Sequence, residues 1–260
     1  MYETQTAVLH CPCREFPPMA NPAPIMTAYQ EAWRRAGWED APQPGVLQRL
    51  FMKSQAQPKR FLPVLIAVGE DSPLEGFQWL NGETPEERRQ RFLSQPVEDG
   101  GAFLAQLTAQ HKESAAENGW DWPGEEVLGP MEGGEAIDRF LGISDFHGKT
   151  IPLVLAEIPV EHPWEVFAYI PFGGWNECPS DEEQMAAAKY WFETYKAVPA
   201  VITRDVLEYS LPAPVGREKA MDLALEQYAF CPDIVDQGCE SVGYLADSLA
   251  KSTKWYFWWD

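Results

Sequence analysis

Apolar side chains between Pro22 and Ala36 recur at Ile25, Tyr29, Ala32 and Trp33, the three-and-four spacing that lays one stripe along a helix. Asn21 is placed as its N-cap with Pro22 in the first turn, and Gly37 ends it with Trp38 able to fold back on the last turn. A second short helix is predicted from Val46 to Lys53, on Val46, Leu47, Leu50 and Phe51. The run from Phe61 to Val68 is apolar throughout and reads as a strand, which Pro63 confines to a sheet edge or restricts at its start. Thr84-Pro-Glu-Glu87 is a capping box that opens a helix through Ser94. Asp99 starts a longer helix to Asn118, with Phe103, Leu104, Leu107 and His111 on one side. Residues 123–150 are rich in glycine and acid, with one short helix expected from Glu135 to Leu141.

Beyond residue 150 the pattern is denser. Ile151 to Ile158 and Trp164 to Ile170 both read as strands, joined by a connection short enough for a hairpin. Ser180-Asp-Glu-Glu183 is a second capping box, and its helix to Lys196 packs on Met185, Ala188, Trp191, Phe192 and Tyr195. Val198 to Leu211 alternates as two β segments divided near Arg204-Asp205. Helices follow over Gly216–Phe230 and Glu240–Lys251, and the chain closes on Trp255-Tyr-Phe-Trp-Trp259. Five aromatics in a row leave a strand without a polar face, which predicts an interior position in the sheet with helices on both sides. The expected class is α/β, with α+β as the alternative: a mixed sheet flanked by helices.

Charge narrows the partners. The chain holds 40 Asp and Glu against 20 Lys and Arg, net −20 over 260 residues. Such a field repels phosphate backbones and anionic headgroups, so no nucleic acid and no membrane surface is expected as partner; a basic protein is. Residues 1–60 differ: 7 Lys and Arg against 5 Asp and Glu, with 8 of the 23 prolines, read as a Pro-rich, partly helical N-terminal arm. Residues 61–149 form an acidic α/β region, either separate or part of the same globule as the C-terminal α/β domain at 150–260. No apolar run approaches the ~20 residues of a bilayer span. The N-terminus has no basic segment followed by an apolar one, so a cytoplasmic location is expected, with the five cysteines as thiols.

Three stretches carry most of the unusual composition: Pro171-Phe-Gly-Gly-Trp-Asn-Glu-Cys-Pro179, Gln227-Tyr-Ala-Phe-Cys-Pro-Asp-Ile-Val-Asp-Gln-Gly238, and the terminal Trp-Tyr-Phe-Trp-Trp-Asp260. In this order and spacing they resemble the bacterial domain of unknown function 4253 family, over roughly residues 150–260. The resemblance implies a domain boundary and a bacterial, cytoplasmic origin. It brings no established activity and assigns no catalytic residue.

The polar and aromatic residues of those stretches are the candidate ligand-binding group: Trp175, Asn176, Glu177, Asp233, Asp236 and Gln237, with Asp260 beyond the closing strand. At one end of an open sheet they could converge on a pocket, where clustered carboxylates hold a divalent cation or share a proton. The alternative is that Asn176, Asp233 and Asp236 cap helices and turns. No spacing calls for a cofactor or a metal. Cys11-Pro-Cys13 beside His10 leaves one residue where zinc sites leave about two to four, and a site from Cys178, Cys231, Cys239 and a histidine has no spacing signature. Nucleophile-elbow, paired-histidine and phosphate-loop patterns are absent. Arg88, Arg89 and Arg91, on a helix with Glu86 and Glu87, read as a solvated face with local ion pairs. Two functions stay open. One is an interaction protein that sequesters a basic partner, as immunity proteins and antitoxins do. The other is a small-molecule or metal-binding protein, or a hydrolase-like enzyme, working through the carboxylates.

Overall fold

The computed structural model describes residues 2–38, 60–79 and 82–260. Its strands are β1 (Cys13–Phe16), β2 (Phe61–Ala67), β3 (Leu153–Pro159), β4 (Val198–Ile202), β5 (Val206–Ser210) and β6 (Lys254–Trp258). They form one mixed sheet in the order β1-β3-β2-β4-β5-β6, with β2 and β4 parallel and the other pairings antiparallel. The longer helices are α1 (Ala23–Ala36), α2 (Pro85–Ser94), α3 (Gly100–Glu117), α4 (Asp181–Tyr195), α5 (Arg217–Phe230) and α6 (Val242–Leu249). No helix among the described residues is long and apolar enough to cross a membrane. The predicted helix at Val46–Lys53 lies outside the described residues.

Strand alternation divides the core in two. Leu62, Val64 and Ile66 of β2, Val154, Ala156 and Ile158 of β3, and Leu207 and Tyr209 of β5 face the larger layer, built from α2 to α6. Leu65, Leu153 and Leu155 face the smaller one, with Ile25, Ala28, Tyr29 and Ala32 of α1 and Phe140 and Ile143 of the following coil. Trp191 of α4 centres the larger layer. Its ring stacks on Phe257 (5.4 Å, 9°) and meets Trp255, Tyr209 and Phe230 edge-on.

The capping boxes at Thr84 and Ser180 form as read, and Asp99 caps α3 by accepting the Ala102 N–H. Pro63 sits in a strand flanked on both sides, but β4 pairs with β2 only at Leu65 and Ile66, so proline falls where one neighbour is present. Gly37 ends α1 in the left-handed conformation, its N–H donating to the Trp33 carbonyl at 3.3 Å, and the Trp38 indole N–H reaches the Phe61 carbonyl at 2.8 Å.

Three expectations are corrected. β6 is the last strand in the sheet order, where an interior position was expected. An all-aromatic strand needs one fully buried face only: Trp255, Phe257 and Trp259 enter the core, while Tyr256 and Trp258 remain half-buried on the other side. Trp164–Ile170 is helical, not a strand. Pro163 opens a 3-10 turn that passes into a helical turn at Val166–Tyr169, and the Glu165 carboxylate accepts the N–H groups of Glu161 and His162. Glu135–Leu141 is coil, held across the sheet end by Asp247 on Gly134 N–H and by Glu208 on Leu141 N–H.

Sequence segments and sheet order interleave. β1 comes from the Pro-rich arm, β2 from the acidic region, and β2 alone joins β3 to β4. The first 60 residues thus supply a strand and, through α1, most of one face of the smaller core.

Candidate functional site

The Gly-Gly stretch forms a tight loop between the Val166–Tyr169 turn and α4. Gly173 has φ 112° and its Cα lies so close to the Pro179 carbonyl that a Cβ would sit 1.9 Å from that oxygen, so only glycine fits. Gly174 N–H is shared between the Cys178 and Pro179 carbonyls, and Cys178 N–H closes a turn onto Trp175 O at 2.9 Å. Asn176 occupies the left-handed position of that turn, at φ 48°. The loop therefore holds Asn176 and Glu177 at its exposed tip. Trp175 packs edge-on against Phe172, which in turn meets Trp259 of the closing segment.

The second stretch leaves α5 through Cys231-Pro232 and winds into a π-helical turn, Ile234–Cys239. Its side chains meet the loop at the end of β6. Asp233 accepts the Asp260 N–H at 2.9 Å on one oxygen and the Gln237 amide at 2.7 Å on the other. The Asn176 amide donates to the Asp260 carbonyl. Cys231 S–H donates to the Trp258 carbonyl at 3.0 Å. Asn176, Asp233 and Gln237 are thus joined through the last residues of the chain, and Glu177 and Asp236 flank them. Asp236 accepts the Tyr228 hydroxyl at 2.8 Å. Burial raises Tyr228 above its ordinary value, the Asp236 bond adds to this, and Glu177 contributes across the gap. The Tyr228 ring stacks on Trp122, which stacks on His111.

All six sequence candidates therefore belong to one surface. Asn176 sits in a turn and Asp233 accepts a backbone N–H, that of Asp260, although its side chain caps no helix; among the described residues no three His, Cys, Asp or Glu side chains come together as a metal site. Cys178, Cys231 and Cys239 are also apart from any such site, each sulfur being engaged with Gln184, Trp258 or Ser241. What the polar residues do is close the outer edge at the end of β6, pairing the Trp258 C=O and the Asp260 N–H.

Beneath the loop lies a pair that the sequence reading assigned to solvent. Arg88 is 1% exposed and Arg89 7%. Arg88 meets Asp181 at 3.0 Å, donates to Phe167 O at 2.6 Å and lies over the Phe92 ring. Asp181 also accepts Phe172 N–H at 2.6 Å, which fixes the start of the Gly-Gly loop. Burial lifts Asp181 to about 6 against the pull of Arg88, so at neutral pH it stays ionised opposite a protonated guanidinium. Arg89 donates to Val8 O at 3.0 Å. The signal was present: Arg88, Arg89 and Phe92 share one helical face, and that face points inward. Arg89, though buried, keeps the expected local ion pair with Glu86 at 2.6 Å, and Arg91 matches the surface reading, bridging Glu83 and Glu182.

Residues 154–260 match a family model described as Domain of unknown function (DUF4253). The matched span contains the loop, the π-helical turn and β6. No curated protein and no solved structure matches the chain.

Proposed function

We propose that this protein works by protein–protein interaction, docking a basic segment of a partner on the surface around Trp175, Asn176, Glu177, Asp233, Asp236 and Gln237. One observation carries the reading: Glu177, Asp233, Asp236 and Asp260 lie together with no Lys or Arg paired to them among the described residues. Some acids among the described residues do have such a partner, as Asp247 has Arg217 and Lys251, both at 2.7 Å. An unneutralised patch beside a half-buried tryptophan has the composition of an interface centre with a charged rim. The net charge of −20 would speed encounter with a basic partner and disfavour acidic competitors. The reading places the protein in the cytoplasm of a bacterial cell, acting by sequestration of that partner.

The test uses full-length protein and a lysine- and arginine-rich peptide, followed by Trp fluorescence and repeated at rising salt. Replacing Glu177 and Asp236 by Gln and Asn spares the Asp233 contacts to Asp260. The double variant is expected to bind roughly tenfold more weakly, about 1.4 kcal/mol, with a flatter salt dependence. Equal affinity for both proteins would remove the reading.

A further inference from the structure

At the opposite edge of the sheet the chain turns through His10, at φ 50°, and runs Cys11-Pro12-Cys13 into β1. The two sulfurs face each other at 4.0 Å, with Cys13 exposed and Cys11 half-buried. Pro12 O accepts the Glu157 N–H at 2.9 Å and Cys13 pairs with Ala156, so β3 holds the backbone beneath the pair. A shallow, wide-open hollow of about 420 Å³ lies at the sulfurs, lined by Glu3, Thr6, His10, Cys11, Pro12 and Cys13. The remaining cysteines differ: Cys178 and Cys231 are buried, and Cys239 donates to Ser241 O.

We propose that Cys11 and Cys13 form a redox-active dithiol that exchanges with a low-molecular-weight disulfide entering this hollow. The hydrogen bond between the thiols depresses Cys13, against burial and the acidic Glu15 and Glu157, and the same bond elevates Cys11. The exposed sulfur is therefore the attacking thiolate. It attacks one sulfur of R–S–S–R, forming a mixed disulfide on Cys13 and releasing RS⁻. Cys11 then loses its proton, attacks the Cys13 sulfur, expels the second RS⁻ and leaves the Cys11–Cys13 disulfide. Two electrons pass from protein to R–S–S–R, and the protons of the two protein thiols end on two R–SH. Side-chain rotation must bring the sulfurs to about 2.05 Å. The acidic groups at the hollow favour a neutral or cationic disulfide over an anionic one.

Reduced full-length protein is treated with hydroxyethyl disulfide, quenched in acid and mapped by peptide mass spectrometry. The wild type is expected to give a peptide about 2 Da lighter, bridged between Cys11 and Cys13. C11S stops at a mixed disulfide on Cys13, and C13S reacts at least roughly tenfold more slowly. Separate adducts on both cysteines of the wild type, first reaction at Cys178, Cys231 or Cys239, or a C13S rate equal to wild type would overturn the proposal. Cystamine reacts faster than oxidised glutathione at low salt; equal rates would overturn the charge preference.

Discussion

The two edges of the sheet are managed by opposite means. β1 is four residues long, with Cys13 and Arg14 exposed and only Phe16 buried, and it ends the sheet by being short and polar. β6 carries four aromatics, followed at once by Trp259, too sticky to leave open, and the end of its edge is held by a clasp of Asn176, Cys231, Asp233 and Gln237. One edge thereby keeps a pair of thiols accessible. The other turns polar residues, which look like a binding site in sequence, into structural cover that still presents unneutralised carboxylates outward. An edge strand's chemistry follows from how it is kept from pairing with another chain.

The sharpest way to break the comparison is to remove β6. Phe- or Trp-to-Ala changes in a core cost about 3–5 kcal/mol each, and Trp255, Phe257 and Trp259 are all essentially buried. A chain lacking residues 255–260 is expected to lose its cooperative melt in calorimetry; a soluble truncation that melts cooperatively contradicts this. Next in size is the support under the clasp. Arg88→Met leaves Asp181 as a half-buried, uncompensated acid and is expected to cost about 3 kcal/mol. Adding Asp181→Asn should recover much of that in a denaturant titration, and a strictly additive double variant would deny the coupling.

Glu208 on β5, facing the smaller layer beside β6, supplies a pH effect. It is fully buried, and burial pushes it up to about 8 despite two backbone N–H donors, Leu141 and Gly142, and nearby Lys254. Its folded value lies above the unfolded one. The stability it contributes is thus complete below about pH 4 and is lost as pH rises through about 8. The expected loss is on the order of a few kcal/mol by pH 9, seen as a falling Tm that Glu208→Gln flattens. Asp181, raised to about 6, acts with the same sign at lower pH.

Smaller effects sharpen the contrast. Asp233→Ala removes two hydrogen bonds and should cost about 1–2 kcal/mol, with faster hydrogen exchange at the Asp260 amide; unchanged exchange would mean the clasp is incidental. At the other edge, Cys13→Ser should move stability by no more than about 0.5 kcal/mol, since its sulfur supports no core contact.

Much of the local structure was legible. Asn21, Thr84, Asp99 and Ser180 announce helix starts through side chains that reach only a few residues, and each helix forms where they place it. Trp164–Ile170 misled because its alternation is strand-like, while Pro163 and Glu165 impose a turn. Arg88 and Arg89 misled because a charged residue on an amphipathic stripe is ordinarily solvated, and the partner of Arg88, the half-buried Asp181, is 93 positions away. The candidate residues were found by composition. Their roles depend on Asp260 returning to meet Asp233 and Asn176.

The α/β class, the caps, the apolar faces and the aromatic closing strand can be read along the chain, because they rest on short-range backbone hydrogen bonding and on the periodicity of helix and strand. That β6 is an edge, that β2 joins β3 to β4, and that two arginines lie inside emerges in three dimensions alone. Those outcomes depend on which distant segments share a surface, and burial and pairing there are set by long-range packing that no local spacing encodes.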